Sequence, residues 1–230
     1  MLVVGFPAGA FQTNCYVLAP AAGGPCVVVD PGQEAVDPLR EALAKHRLNP
    51  VAVLLTHGHL DHTWSVQPVC DGDDVPAWIH PDDRYMLSDP LRGVGPQMAA
   101  MLGDLTFREP REVRELTDGA ALDLAGISLQ VAHAPGHTRG SVLFRTTAET
   151  DEGEVGVVLA GDTLFAGSIG RSDLPGGDPE TLLASIDAQL MGLPDDTVVL
   201  PGHGPTTTVG RERASNPFLA GRGSGPGRAL

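Results

Sequence analysis

Val51-Ala52-Val53-Leu54-Leu55-Thr56-His57-Gly58-His59-Leu60-Asp61-His62 changes character halfway: five aliphatic residues lead into a turn carrying three histidines and an aspartate. A short apolar run bounded by a turn signal predicts a buried strand. Strand ends are where sites form in α/β proteins. Four candidate ligands thus fall within six residues, and imidazoles with a carboxylate suit zinc, iron or manganese. Gly58 is expected to let the backbone turn tightly, so that side chains two, four and five residues apart converge. As an ordinary polar loop the stretch would be costly, because each buried imidazole would need its own hydrogen-bond partner.

Three later segments repeat the form, each an apolar stretch ending in a small-residue turn with one candidate ligand. They are Ala134-Pro135-Gly136-His137-Thr138, Ala160-Gly161-Asp162-Thr163 and Pro201-Gly202-His203-Gly204. Singly each is a weak turn signal. With the first stretch they supply five histidines and two aspartates, enough for two metal ions.

Further short apolar runs predict strands at Leu2–Gly5, Cys15–Leu18, Cys26–Val29, Ile127–Val131, Val142–Phe144, Val155–Ala160 and Thr197–Leu200. Glu34–Arg47 and Pro179–Leu190 read as helices, the second opened by Asp178 as cap with Pro179 in the first turn. Because Ala120–Arg145 reads as consecutive antiparallel strands, the alternation is irregular, which favours a pair of mixed sheets flanked by helices over a doubly wound sheet. Pro81–Asp104 reads as a helix-loop-helix insertion that mainly packs and could also wall a pocket. One domain is expected over 1–220, and the Gly-, Arg- and Pro-rich 221–230 is expected to be a disordered tail.

Composition narrows the chemistry. A 230-residue chain that is 42% apolar can bury a core unaided. Its formal charge of -14 opposes nucleic acid and anionic membranes. No apolar run is long enough to span a bilayer, and the N-terminus has no basic region before its first strand. The three scattered cysteines form no disulfide or thiolate-zinc pattern, so a reducing cytoplasm is expected, with Cys15 as packing. His133 is a candidate to hydrogen-bond a ligand or simply to pack, and His46 and His80 look ordinary. Asp30, at a strand end beside Pro31 and Gly32, is a candidate to orient a ligand loop or a simple turn residue.

The order THGHLDH, PGHT, GDT, PGHG resembles the metallo-β-lactamase superfamily over nearly the whole chain. That resemblance implies an α/β fold, the αββα sandwich of two packed mixed sheets flanked by helices. It implies that His57, His59 and His137 hold one metal, that Asp61, His62 and His203 hold the other, and that Asp162 bridges them. The common zinc lactamases lack a ligand histidine after HxHxD and place cysteine where this chain has Asp162. Gln12-Thr13-Asn14-Cys15, Val29-Asp30-Pro31-Gly32, Gly161–Gly167, Gly170–Asp173 and Arg213–Leu219 are instead similar to short bacterial glyoxalase II-like (hydroxyacylglutathione hydrolase-like) enzymes.

What this implies is a cytoplasmic metal-dependent thioesterase with two divalent ions, zinc first and iron or manganese as alternatives. Its substrate would be a small acyl thioester, with Asp61 and Asp162 serving catalysis as well as ligation. Arg171 stands where the longer enzymes contact the substrate carboxylate, and Asp173 replaces the aromatic residue that assists there. Only 27 residues follow His203, too few for the helical domain that grips glutathione, so weak dependence on glutathione is expected. The rival reading is a persulfide dioxygenase with a single iron in the same fold.

Overall fold

The computed structural model describes residues 1–102, 105–151 and 153–220; the tail expected at 221–230 lies outside them. The first sheet contains β1 (Leu2–Ala8), β2 (Thr13–Ala19), β3 (Pro25–Val29), β4 (Asn49–Leu54), β5 (Ala77–Ile79) and β6 (Val113–Glu115), side by side in that order. β1 to β3 pair antiparallel and β3 to β6 parallel. The chain then forms β7 (Ala121–Leu124), β8 (Ile127–His133), β9 (Val142–Thr150) and β10 (Gly153–Gly161), and a small hairpin of β11 (Leu164–Phe165) and β12 (Ser168–Ile169). With β13 (Val198–Pro201) and β14 (Thr207–Thr208), the second sheet runs β14-β13-β10-β9-β8-β7, all antiparallel except β10 with β13.

Period-two alternation builds four layers. In β2, Cys15 and Val17 face one way and Tyr16 and Leu18 the other; in β10, Val157 and Leu159 oppose Val158 and Ala160. Tyr16, Leu18, Val27, Val29 and Leu54 of the first sheet meet Leu129, Phe144, Val157 and Leu159 of the second. On the outer face of the first sheet lie α1 (Val36–His46), beginning two residues after the expected start, and α3 (Val66–Asp73), which follows the single turn α2 (Leu60–Thr63). The insertion contains α4 (Pro81–Arg84), 3-10 turns at Tyr85–Leu87 and Pro90–Gly93, and α5 (Pro96–Leu102). α6 (Pro179–Gln189) covers the second sheet with Leu182 and Ile186, and α7 (Val209–Ser215) follows β14. Asp178 caps α6 as expected, its carboxylate accepting from the Thr181 N–H at 2.7 Å.

All eight predicted strands form; β5 and β6, three residues each, carry too little pattern to be read and join the sheet through parallel pairing alone. Among the described residues no helix is long and apolar enough to cross a membrane. All three cysteines are buried, and burial pushes the Cys15 thiol well above its ordinary range, which fits packing. The layer between the sheets carries the fold's stability. Phe144, fully buried there, is expected to cost about 3–5 kcal/mol on replacement by alanine. Chemical denaturation measures this, and a loss below about 1 kcal/mol would place the stabilising core elsewhere.

Candidate metal centre

Four strand ends deliver the seven predicted residues to one edge of the sandwich. β4 leads into His57, His59, Asp61 and His62, β8 into His137, β10 into Asp162 and β13 into His203. Hydrogen bonds stitch the two sheets together at this edge. Asn14 N–H donates to Gly202 O at 2.7 Å, the Asn14 side-chain amide to Pro201 O and Gly204 O, the Tyr16 hydroxyl to Pro201 O, and Val142 N–H to Thr56 O. The Gln12–Cys15 segment is therefore the brace of the His203 loop. Gly202 is required by close approach: a Cβ there would run into Asp162 Oδ1 and His62 Cε1.

The seven side chains form one continuous cluster: His57, His59 and His137 group together, as do His57, His62 and Asp162, and Asp61, His62 and His203. Nε2 of His137 lies 3.1 Å from Nε2 of His57 and 2.8 Å from Nδ1 of His59. Asp162 faces both ends, Oδ1 being 3.2 Å from His62 Nε2 and Oδ2 3.7 Å from His137 Nε2 and 3.5 Å from His203 Nε2. Asp61 Oδ2 lies 3.1 Å from His203 Nε2 and accepts from the Thr13 hydroxyl. His57, His59, His62 and His137 are all buried.

Partners behind the rings decide which nitrogens are free. His137 Nδ1–H donates to Arg171 O at 2.7 Å and His203 Nδ1–H to Phe11 O at 3.1 Å; a carbonyl can only accept, so in the neutral ring each Nε2 is a lone pair. His62 Nδ1–H donates to Asp30 at 2.9 Å. Thr56 gives its hydroxyl proton to Asp30 and so accepts from His57 Nδ1–H. The freed lone pairs point at one another and at carboxylates, and His62 Nε2 and Asp162 Oδ1 are buried without a hydrogen-bond partner. Buried ring nitrogens facing one another and carboxylates in a desolvated place fit a cation.

Electrostatics agree. Burial, then the imidazoles of His62 and His137, hold His57 well below its ordinary range; burial and His137 push His59 down to about 3. Both rings are therefore neutral and able to ligate. Burial also works against protonation of His62, but Asp162, Asp61 and Asp30 outweigh it and raise that ring, so this end of the cluster attracts positive charge.

Asp30 therefore orients a ligand loop, accepting from Thr56 N–H, the Thr56 hydroxyl and His62 at once. His133 does not touch any of the seven; it donates to Arg139 O and stacks on His80 at 4.3 Å, while His80 caps α4. Arg171 reaches the cluster through its carbonyl, and its guanidinium forks onto Asp173. Glu212, buried, holds Gly167 N–H and the Asn216 amide, and so braces the Gly-rich loop against α7.

The residue missed from the sequence is Asp83. Its buried carboxylate accepts from Gly58 N–H at 2.9 Å, the Thr138 hydroxyl at 2.7 Å and Gly140 N–H at 2.9 Å, tying the His57–His59 turn to the His137 turn. Its only sequence sign is a helix start, acidic residues following Pro81. It also changes the reading of Gly58. That glycine has no left-handed backbone; a Cβ there would come 2.6 Å from Met86 Cε and 2.8 Å from Asp83 O.

The cluster opens into a cavity of about 630 Å³ lined by His59, Asp61, His137, Asp162 and His203, by Phe11, Leu60, Phe165, Ile169, Arg171 and Leu174, and by Val94, Gly95, Gln97 and Met98 of the insertion. The described part of the insertion thus both packs, through Met86 and Leu87, and walls the pocket.

Residues 8–203 match the family model described as the metallo-β-lactamase superfamily, and the chain belongs to that superfamily. It is 56% identical over 222 residues to an uncharacterised protein of Mycobacterium leprae, covering 96% of this chain and 100% of that one. It is 37% identical over 218 residues to hydroxyacylglutathione hydrolase GloC of Haemophilus influenzae, covering 93% and 95%. Among solved structures it resembles BLEG-1 B3 metallo-β-lactamase at TM-score 0.83 and 38% identity, covering 96% and 100%. It also resembles TTHA1623 in a di-iron-bound form at 0.75 and 38%, covering 94% and 100%.

Asp83→Ala would leave the buried Gly58 and Gly140 N–H groups unpaired and release both ligand turns. It is expected to weaken metal affinity about ten- to a hundredfold, as loss of an orienting partner does. His133→Ala is expected to leave affinity unchanged. Chelator competition on the two variants tests the ranking, and equal losses would refute it.

Proposed function

We propose that this chain hydrolyses acyl thioesters with two divalent metal ions, zinc first and iron or manganese as alternatives. The carrying observation is the complete set of seven converging side chains with Asp162 facing both ends. His57, His59 and His137 would hold one ion and Asp61, His62 and His203 the other, with Asp162 between them. The TTHA1623 structure, which is di-iron-bound, supports two ions and leaves the metal open. Bound divalent ions supply Lewis acidity and a water of lowered pKa.

The chain's own residues do the rest. Asp61, pinned by Thr13, accepts a hydrogen bond from the attacking water and aims it at the thioester carbonyl. Leu60, Phe165 and Ile169 exclude bulk water from the cavity. Among the cavity-lining residues, Arg171 is the one ionisable group outside the ligand set, so no side chain is placed as a proton donor to a leaving group. That suits a thiolate, whose parent thiol has a pKa of about 8.5 and departs unassisted. Identity to GloC over nearly its full length favours the same chemistry. A second reading is β-lactam hydrolysis, favoured by the likeness to BLEG-1; its amine leaving group would need the proton donor that the cavity does not offer.

Metal-loaded protein is expected to cleave S-lactoylglutathione and simpler thioesters and to contain close to two ions per chain, with chelation abolishing turnover. Asp162→Ala is expected to lose metal and turnover together. Elemental analysis and single-substrate kinetics decide this. Active protein holding one iron and consuming oxygen with a persulfide would establish the dioxygenase instead, and β-lactam cleavage without thioester turnover would establish the lactamase.

A further inference from the structure

The reaction leaves the substrate's identity open, and the cavity beside the metal centre bears on it. Its walls beyond the ligands are mostly apolar, with Phe11, Leu60, Met98, Phe165, Ile169 and Leu174 among them and Gln97 the one uncharged polar side chain. An arm of substrate lying there meets aliphatic and aromatic carbon, and burial of apolar surface is its main source of binding. The one basic side chain in the wall is Arg171. Its Nε–H and an Nη–H donate to Asp173 Oδ1 and Oδ2, both at 2.8 Å, in a fork-to-fork pair two residues apart. Bidentate pairing of this kind is the geometry in which arginine receives a substrate carboxylate. Here the chain supplies that carboxylate itself. An arriving carboxylate would have to displace Asp173 and then sit beside it, in a protein whose formal charge is already -14.

We propose that this site selects thioesters whose arm in the cavity is apolar and uncharged, and that Asp173 is the specificity-determining residue that turns carboxylate-bearing thioesters away from Arg171. The inference rests on the thioesterase reading for its substrates, while its selectivity is a property of the cavity wall. Exposed ion pairs are weak, so the discrimination is graded. Asp173 withholds about three- to fivefold from a substrate that carries a carboxylate, and each methylene buried against the apolar wall adds about two- to fourfold until the cavity is filled.

The test is a matrix of matched thioesters given to the metal-loaded protein. Acetyl, butanoyl and hexanoyl groups are carried on N-acetylcysteamine, which is neutral, and on N-acetylcysteine, which differs by a carboxylate. Native protein is expected to show kcat/KM rising with chain length and higher for the neutral thiol at each length. In Asp173→Asn the ratio of carboxylate-bearing to neutral turnover is expected to rise about three- to fivefold. Equal or better turnover of the carboxylate-bearing esters by native protein, or a ratio that Asp173→Asn leaves unchanged, would overturn the proposal. Binding of pentanethiol and of 5-mercaptopentanoate to the same metal-loaded protein, read by calorimetry, needs no turnover. If no thioester is cleaved above the Asp162→Ala background, the thioesterase reading fails. Tighter binding of pentanethiol would still sustain the selectivity, and tighter binding of the carboxylate would end it.

Discussion

Five imidazole rings and two carboxylates crowd one edge of this sandwich, four of the rings nearly removed from water, with their lone pairs aimed at one another. Left to themselves such groups oppose folding, because desolvated acceptors and like-facing dipoles have nothing to offset them. Positive charge at the centre reverses the sign. The rest of the site's architecture follows from holding these ligands together in an arrangement suited to a cation.

Four of the five rings are held from behind by an acceptor, of three kinds. His57 leans on a hydroxyl, His62 on a carboxylate, His137 and His203 on backbone carbonyls. Carbonyl and carboxylate partners fix the tautomer, and the carboxylate also makes its ring a stronger donor. The supports come from distant parts of the chain. Asp30 ends β3 with a left-handed backbone that aspartate tolerates, Arg171 belongs to the loop after β12, and Phe11 precedes β2. Removing water from the rings is therefore inseparable from closing the two sheets on each other, and Tyr16 and Asn14 make that closure with hydrogen bonds to the turn that carries His203.

How much of this the sequence shows depends on whether a feature is written locally. The His57–His62 stretch, the α6 cap at Asp178 and the alternation in β2, β3, β9 and β10 are local, so composition and period reveal them. β5 and β6 are not. They are short, and β5 enters the sheet because Val53 N–H of β4 and Leu55 N–H just after it find Pro76 O and Trp78 O. Asp83 is invisible for the same reason: its partners lie 25, 55 and 57 residues away, and nothing near Pro81 announces them. Asp30 was legible as a candidate because a strand-end acid beside Pro31-Gly32 is a local pattern, although its three donors are not. Nearness to His137 in the chain leaves two readings of His133 open, and of these packing holds, because β8 turns its ring toward His80.

Asp83 also explains how the insertion can serve two purposes. Its base is fixed: the carboxylate grips both ligand turns, and Met86 fills the space that a side chain on Gly58 or Gly93 would need. Farther along, Val94, Gly95, Gln97 and Met98 touch the cavity, and none of these four residues contributes a side chain to the ligand cluster or a partner behind its rings. Changes at the tip alter what the substrate meets without disturbing the ligands, whereas changes at the base reach His57 and His137 through one carboxylate. The division separates the ligand cluster, held by Asp83 and the strand ends, from the cavity wall, to which the tip of the insertion and Arg171, paired with Asp173, contribute. Selectivity can therefore be altered by substitution at the cavity wall while the metal centre retains its geometry.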